Sequence, residues 1–183
     1  MAGSGVTRVI HRCDHAKENQ KLDLSHCQLT TLPDAVFHLM RNTTVLTFDL
    51  SCNLISRIPS KLALKFHFLL DLDLSSNKIK AVPTELADLP DLRSINFANN
   101  KFSEMPAVIY QLKTLKELRA DNNQISDVDI SKLSEIRSLR QISLLENPLT
   151  SATHAQLHLL SRHVDVSVSP YRTTNECIMD TVD

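Results

Sequence analysis

The chain has 183 residues and a formal net charge of −1, enough for one domain and too neutral to draw in nucleic acid or an anionic membrane by long-range attraction. Its only glycines are Gly3 and Gly5, near the N-terminus. Phosphate-cradling loops, dinucleotide fingerprints and the nucleophile elbow all need glycine inside the fold, which argues against an NTPase, a dehydrogenase of that kind or an α/β-hydrolase.

Residues 1–18 predict a short helix. Val6, Val9, Ile10 and Cys13 stand at i, i+3, i+4 and i+7 on one apolar stripe, with Arg8, His11 and Arg12 mostly off it. A cap over the edge of the following fold is expected; a membrane-surface or partner helix would want large aromatic anchors that the stripe lacks.

Residues 19–149 repeat one pattern six times. The first copy is Leu22, Leu24, Cys27, Leu29 and Leu32; the second Val45, Phe48, Leu50, Asn53, Ile55 and Ile58. The third is Leu69, Leu72, Leu74, Asn77, Ile79 and Val82; the fourth Leu92, Ile95, Phe97, Asn100, Phe102 and Met105. The fifth is Leu115, Leu118, Ala120, Asn123, Ile125 and Val128; the sixth Leu139, Ile142, Leu144, Asn147, Pro148 and Leu149. From Cys27 onward the Asn/Cys positions step by 26, 24, 23, 23 and 24 residues. A period of this length means stacked coils. Alternating apolar residues such as Leu72 and Leu74 give each coil a short strand with one buried face. Stacking sets those strands side by side in a parallel sheet. Each Asn can donate and accept where the chain turns away from water, which Cys27 does only weakly. Pro33, Pro59, Pro83 and Pro106 then start the return path, with Asp129 in that place in the fifth copy. Residues 84–89 and 107–112 are expected to return as short helical or irregular stretches.

Residues 150–170 predict a closing cap. Ser151 or Thr153 is positioned to cap a helix carrying Leu157, Leu160 and Val164, and Val164, Val166 and Val168 alternate as a last strand. Residues 171–183 are polar and expected to be disordered.

This pattern resembles the leucine-rich repeat family, in its intracellular 23-residue class, over roughly residues 17–168. Cys27, Ala120 and Asp129 depart from it, and the last two put the regularity of the fifth coil in question. The resemblance implies an α/β, right-handed leucine-rich repeat solenoid with a parallel concave sheet, a helical N-terminal cap and a helix-plus-strand C-terminal cap. It also implies a signalling or scaffolding role.

The strand residues between the buried ones face the inner curve, where a partner reads them. Three columns result. The first is Lys21, Thr47, Asp71, Ser94, Glu117 and Gln141; the second Asp23, Asp49, Asp73, Asn96, Arg119 and Ser143; the third Ser25, Ser51, Ser75, Ala98, Asp121 and Leu145. Acids outnumber bases, and a protein partner offering a basic segment is expected there. Asp23, Asp49, Asp71, Asp73, Asn96, Glu117, Arg119 and Asp121 are the candidate contacts, and Cys27, Asn53, Asn77, Asn100, Asn123 and Asn147 the structural ladder. The competing view is a solvated face that only belongs to the repeat. Arg93, Lys116 and Arg140, with Leu46 and Leu70 in the same row, edge the stripe.

Other chemistry is poorly supported. His11, Cys13 and His15, and His154 and His158, have chelating spacing but lack the four ligands of a structural zinc. Cys52 with His26 one coil earlier lacks the signs of an activated nucleophile. The aspartates show no legible calcium loop. No dense basic patch or aromatic platform suggests nucleic acid. No catalytic residue, cofactor, metal or small-molecule substrate is expected. Cys13, Cys27, Cys52 and Cys177 lie far apart, unlike a disulfide framework, and suggest a reducing, cytoplasmic setting. The Asn42-Thr43-Thr44 sequon carries no weight without a secretory route. The expected function is noncatalytic protein binding by a monomeric adaptor. A regulatory subunit dedicated to one enzyme, such as a phosphatase or small GTPase system, is the first alternative and an enzyme the second.

Overall fold

The computed structural model describes residues 2–160 and 163–170, with side chains from Thr7 onward. The segment 171–183, expected as a tail, lies outside the described residues.

Helix α1 (Ala2–Asn19) covers the first coil. Its buried residues are Val9, Cys13 and Ala16, at i, i+4 and i+7, whereas Ile10 is 44 % exposed. The expected stripe was therefore rotated: small side chains at Cys13 and Ala16 let the helix lie close to the first strand, and bulky Ile10 turns outward. Gln20, at φ 63°, ends the helix, and its N–H bonds the Ala16 carbonyl at 2.9 Å.

Among the described residues seven three-residue strands follow: β1 (Lys21–Asp23), β2 (Thr47–Asp49), β3 (Asp71–Asp73), β4 (Ser94–Asn96), β5 (Glu117–Arg119), β6 (Gln141–Ser143) and β7 (Asp165–Ser167). They form one parallel sheet in chain order. Their middle residues point into a single core that runs the length of the stack, with Phe48, Phe97 and Phe102 among its largest buried side chains. Phe48 meets Phe66 edge-on at 5.1 Å, and Phe97 lies 4.8 Å from Phe102. Ala120, the small core residue of the fifth coil, is fully buried in the same interior.

The outer path varies with coil length. Coils of 26 and 24 residues between ladder positions return through α2 (Asp34–Leu39), α3 (Lys61–Lys65) and α4 (Ile130–Ser134). The two 23-residue coils return through 3-10 turns, Thr84–Asp88 and Ala107–Gln111. A 3-10 spiral advances about 2.0 Å per residue against about 1.5 Å for an α-helix, so it spans the same breadth with fewer residues. Asp129 does not disturb the fifth coil. Unlike the prolines it has an N–H, which it donates to the Tyr110 hydroxyl at 3.1 Å, and its carboxylate caps α4 by accepting the Lys132 N–H.

At the far end, α5 (Ser151–Leu160) buries Thr153, Leu157 and Leu160. Its N-terminal oxygen is Thr150 Oγ1, which accepts the Thr153 N–H at 3.3 Å, rather than Ser151 or Thr153. Thr153 turns inward instead. Both threonine hydroxyls donate to Asp127 Oδ1, Thr150 at 2.8 Å and Thr153 at 2.9 Å, tying the cap to the fifth coil.

Candidate protein-binding face

Strand pairing aligns Lys21, Thr47, Asp71, Ser94, Glu117, Gln141 and Asp165 in one row. It aligns Asp23, Asp49, Asp73, Asn96, Arg119, Ser143 and Ser167 in another. These are the first two sequence columns, lengthened by β7. Asp165, an exposed acid that the sixfold pattern does not reach, joins the first.

The acids of this face do different work. Asp23 is held by the N-terminal cap: Arg12 Nη1 lies 2.9 Å from its Oδ1 and also donates to the Ser25 carbonyl at 2.6 Å. Partial burial pushes the Asp23 carboxyl up, but the Ser25 hydroxyl and N–H and the Arg12 charge outweigh it, leaving the group below its ordinary range. The Oδ1 atoms of Asp23, Asp49 and Asp73 accept the N–H two residues on, from Ser25, Ser51 and Ser75, and Asn96 does the same for Ala98. These are Asx turns that bend the chain out of each strand. Asp73 Oδ2 accepts a further bond from Asn96 at 3.0 Å. Asp121 Oδ1 accepts from the Ser143 hydroxyl and the Leu145 N–H. Asp71 accepts only a long bond, 3.4 Å, from Thr47 Oγ1. Glu117 and Arg119 are exposed side by side in their strand. Ala98 and Ser143, expected on the inner curve, are both buried. The Asp-x-Ser and Asn-x-Ala spacing was the available signal for the Asx turns, hidden because the same residues also make an acidic column.

Below the rim, each ladder Asn joins two coils. Asn53 Oδ1 accepts the N–H groups of Cys27 and Leu29, at 3.1 and 2.9 Å, while its Nδ2 reaches the carbonyls of Leu24, Leu50 and Ser51. Asn77, Asn100, Asn123 and Asn147 accept in turn from Ile55, Ile79, Phe102 and Ile125. The bonds accepted by each amide oxygen all come from the preceding coil, while the Nδ2 of Asn53 also holds Leu50 and Ser51 of its own coil. The first coil has none before it, which is where Cys27 stands. Immediately before each ladder residue the backbone is left-handed, at His26, Cys52, Ser76, Asn99, Asn122 and Glu146, with φ of 51–56°. Cys52 and His26 thus occupy equivalent turns in successive coils, and their N–H groups bond Ser75 and Ser51 carbonyls. Cys13 and Cys27 are buried free thiols; burial pushes the Cys13 thiol up to about 11 and raises that of Cys27. Among the described residues no group of three or more His, Cys, Asp or Glu is placed to hold a metal ion, and no helix is long and apolar enough to cross a membrane.

Core and ladder consume the inward and turn-facing groups, leaving most of the strand side chains between them at the surface. This architecture is that of a right-handed leucine-rich-repeat solenoid with helical cap elements. Residues 45–102 match a family model described as leucine rich repeat, and residues 20–39 match a second of the same description. The chain carries leucine-rich repeats over these residues. It is similar to a leucine-rich-repeat protein of Leptospira interrogans, at 26 % identity and a TM-score of 0.66 over 76 % of this chain and 34 % of that one. The leucine-rich repeat domain of APL1B shares 19 % identity at a TM-score of 0.63, over 81 % of this chain and 42 % of that one. The BIR2 ectodomain of Arabidopsis thaliana shares 24 % identity at 0.54, over 71 % and 68 % respectively. The last two likenesses concern the fold alone. The chain thus spans less than half of the first two structures. No curated protein sequence matches it.

Proposed function

We propose that this protein is a cytoplasmic adaptor that takes a basic segment of a partner protein on its concave face. Asp49, Asp71, Asp73, Glu117 and Asp121 supply the charge, and Asn96 and Arg119 supply polar contacts between them. Asp23 contributes least, because Arg12 already neutralises it.

The observation that carries this reading is the pairing of acid with acid: Asp49 lies abreast of Asp73, and Asp71 precedes Asp73 by two residues on the same face. Neighbouring strands are about 4.8 Å apart, and like charges opposed at that distance cost up to ~1 kcal/mol per pair. A cation laid between them relieves that cost. A rigid sheet presents these groups already ordered, so association loses little conformational freedom. Free thiols at Cys13, Cys27 and Cys52 suit a reducing compartment. Ladder steps of 23 to 26 residues support the intracellular 23-residue class. The closing Asn147-Pro148-Leu149 segment and the helical leader resemble leucine-rich repeat-containing protein twenty.

Asp71→Lys with Glu117→Lys tests the reading while leaving every Asx turn intact. Binding of a synthetic Lys/Arg-rich peptide, followed by fluorescence anisotropy at low salt, is expected to weaken about tenfold or more and to lose its salt dependence. Undiminished binding by a folded variant would remove the acidic face from the function.

A further inference from the structure

We propose that Leu46, Phe68 and Leu70 form an apolar shelf on the upstream rim of the concave face, and that it seats an apolar side chain of the same basic segment. This inference rests on the reading above and adds the partner's second requirement. In the third coil Phe68 and Leu70 flank Leu69, which is fully buried; Phe68 is 49 % exposed and Leu70 half-buried. In the second coil Leu46 follows buried Val45 in the same way. The Leu70 N–H bonds the Leu46 carbonyl at 2.8 Å, which fixes the two leucines abreast.

Later coils show that the fold itself does not ask for apolar groups here. The places of Phe68 and Leu70 are filled by Asp91 and Arg93, by Thr114 and Lys116, and by Ser138 and Arg140. Thr114 and Ser138 use their hydroxyls on nearby carbonyls: Thr114 on Pro90 and Leu92, Ser138 on Lys113 and Leu115. Phe68 has no such bond to make, and its ring lies 3.9 Å from that of His67.

Charge decides what occupies the shelf. Leu70 is followed directly by Asp71, and Leu46 by Thr47, whose hydroxyl reaches Asp71. The shelf therefore opens onto the most acidic part of the sheet. Beyond it the rim turns basic at Arg93, Lys116 and Arg140, which repels a cationic segment from continuing along that side. The occupant that satisfies both halves is a short stretch of Lys or Arg carrying one large aliphatic or aromatic residue, an anchor of the kind that concentrates binding energy. Leu64 is more exposed still, at 74 %, but it sits on α3 on the outer path, away from these acids.

Three synthetic peptides of equal length separate the possibilities on the full chain: Lys-rich with a central Leu, Lys-rich with Ser in its place, and Glu-rich with the central Leu. The Leu-bearing Lys peptide is expected to bind about tenfold tighter than its Ser counterpart. Phe68→Ser and, independently, Leu46→Asn should abolish that difference, with Leu64→Ser leaving it intact and thermal melts reporting the fold. Equal affinity for the two Lys peptides would overturn the shelf while preserving the acidic face. No preference for Lys over Glu peptides would overturn both.

Discussion

An Asn amide at the end of a strand carries a donor and an acceptor into a place water does not reach. Asn100 shows the consequence. Its oxygen accepts the Ile79 N–H at 2.9 Å, and its nitrogen lies within reach of the Leu74, Phe97 and Ala98 carbonyls. Asn100→Ala should cost roughly 1–3 kcal/mol, because buried backbone groups in two coils lose their partner at once. Cys27→Ala should cost much less, since no hydrogen bond runs through that sulfur among the described residues. Urea unfolding followed by circular dichroism measures both; equal losses would contradict the ladder. The ladder positions were legible in the sequence because their spacing is nearly fixed. The residue before each was not. Left-handed backbone normally advertises itself as glycine, and here His26, Cys52, Ser76, Asn99, Asn122 and Glu146 adopt it instead. The strain at each is tolerated because the flanking N–H bonds and the Asn amide fix the turn from both sides.

At the scale of elements, the leucines defined the strands and their register, so the two inner rows could be written down from spacing alone. The end pieces were less legible, because a helix that covers an edge is chosen by fit rather than by period. Rotation of α1 onto Ala16 in place of Ile10 depends on how closely the helix must approach β1. Capture of Asp23 by Arg12 follows from that same docking. The closing cap is fastened by polar groups in a similar way, through Asp127. Hydrogen bonds from Thr150 and Thr153 hold the Asp127 carboxyl below its ordinary value of 3.8. A lowered folded-state pKa means that the contribution is present in full above the unfolded value and is lost as pH falls through the lower, folded one. Asp127→Ala should therefore lower the melting temperature near neutral pH. The gap from the native chain should narrow once the solution is more acidic than 3.8. A gap independent of pH would show that the carboxylate charge plays no part in holding α5.

For the molecule as a whole, the decisive property is that no coil owns its interior. Leu118 is fully buried between Ile95 and Ile142, its neighbours in β4 and β6. Removing it damages three coils. Leu118→Ala should cost about 2–5 kcal/mol, the range for a buried leucine whose cavity only partly collapses. In a long repeat array such damage stays local, because stability is a sum of near-neighbour terms. Here the stack is short and capped at both ends, and α1 and α5 each rely on the coil beneath. The expected outcome is one unfolding transition displaced to lower urea, with hydrogen exchange of Leu24 and Leu144 amides accelerated together. Those amides pair with Asp49 and Ser167 carbonyls, on opposite sides of the substitution, so they report both ends of the sheet. Faster exchange at Leu144 with Leu24 unchanged would mean that the coils open independently. The concave face would then be a row of separable pieces, and the preorganisation that the proposed partner binding requires would have to come from the bound segment itself.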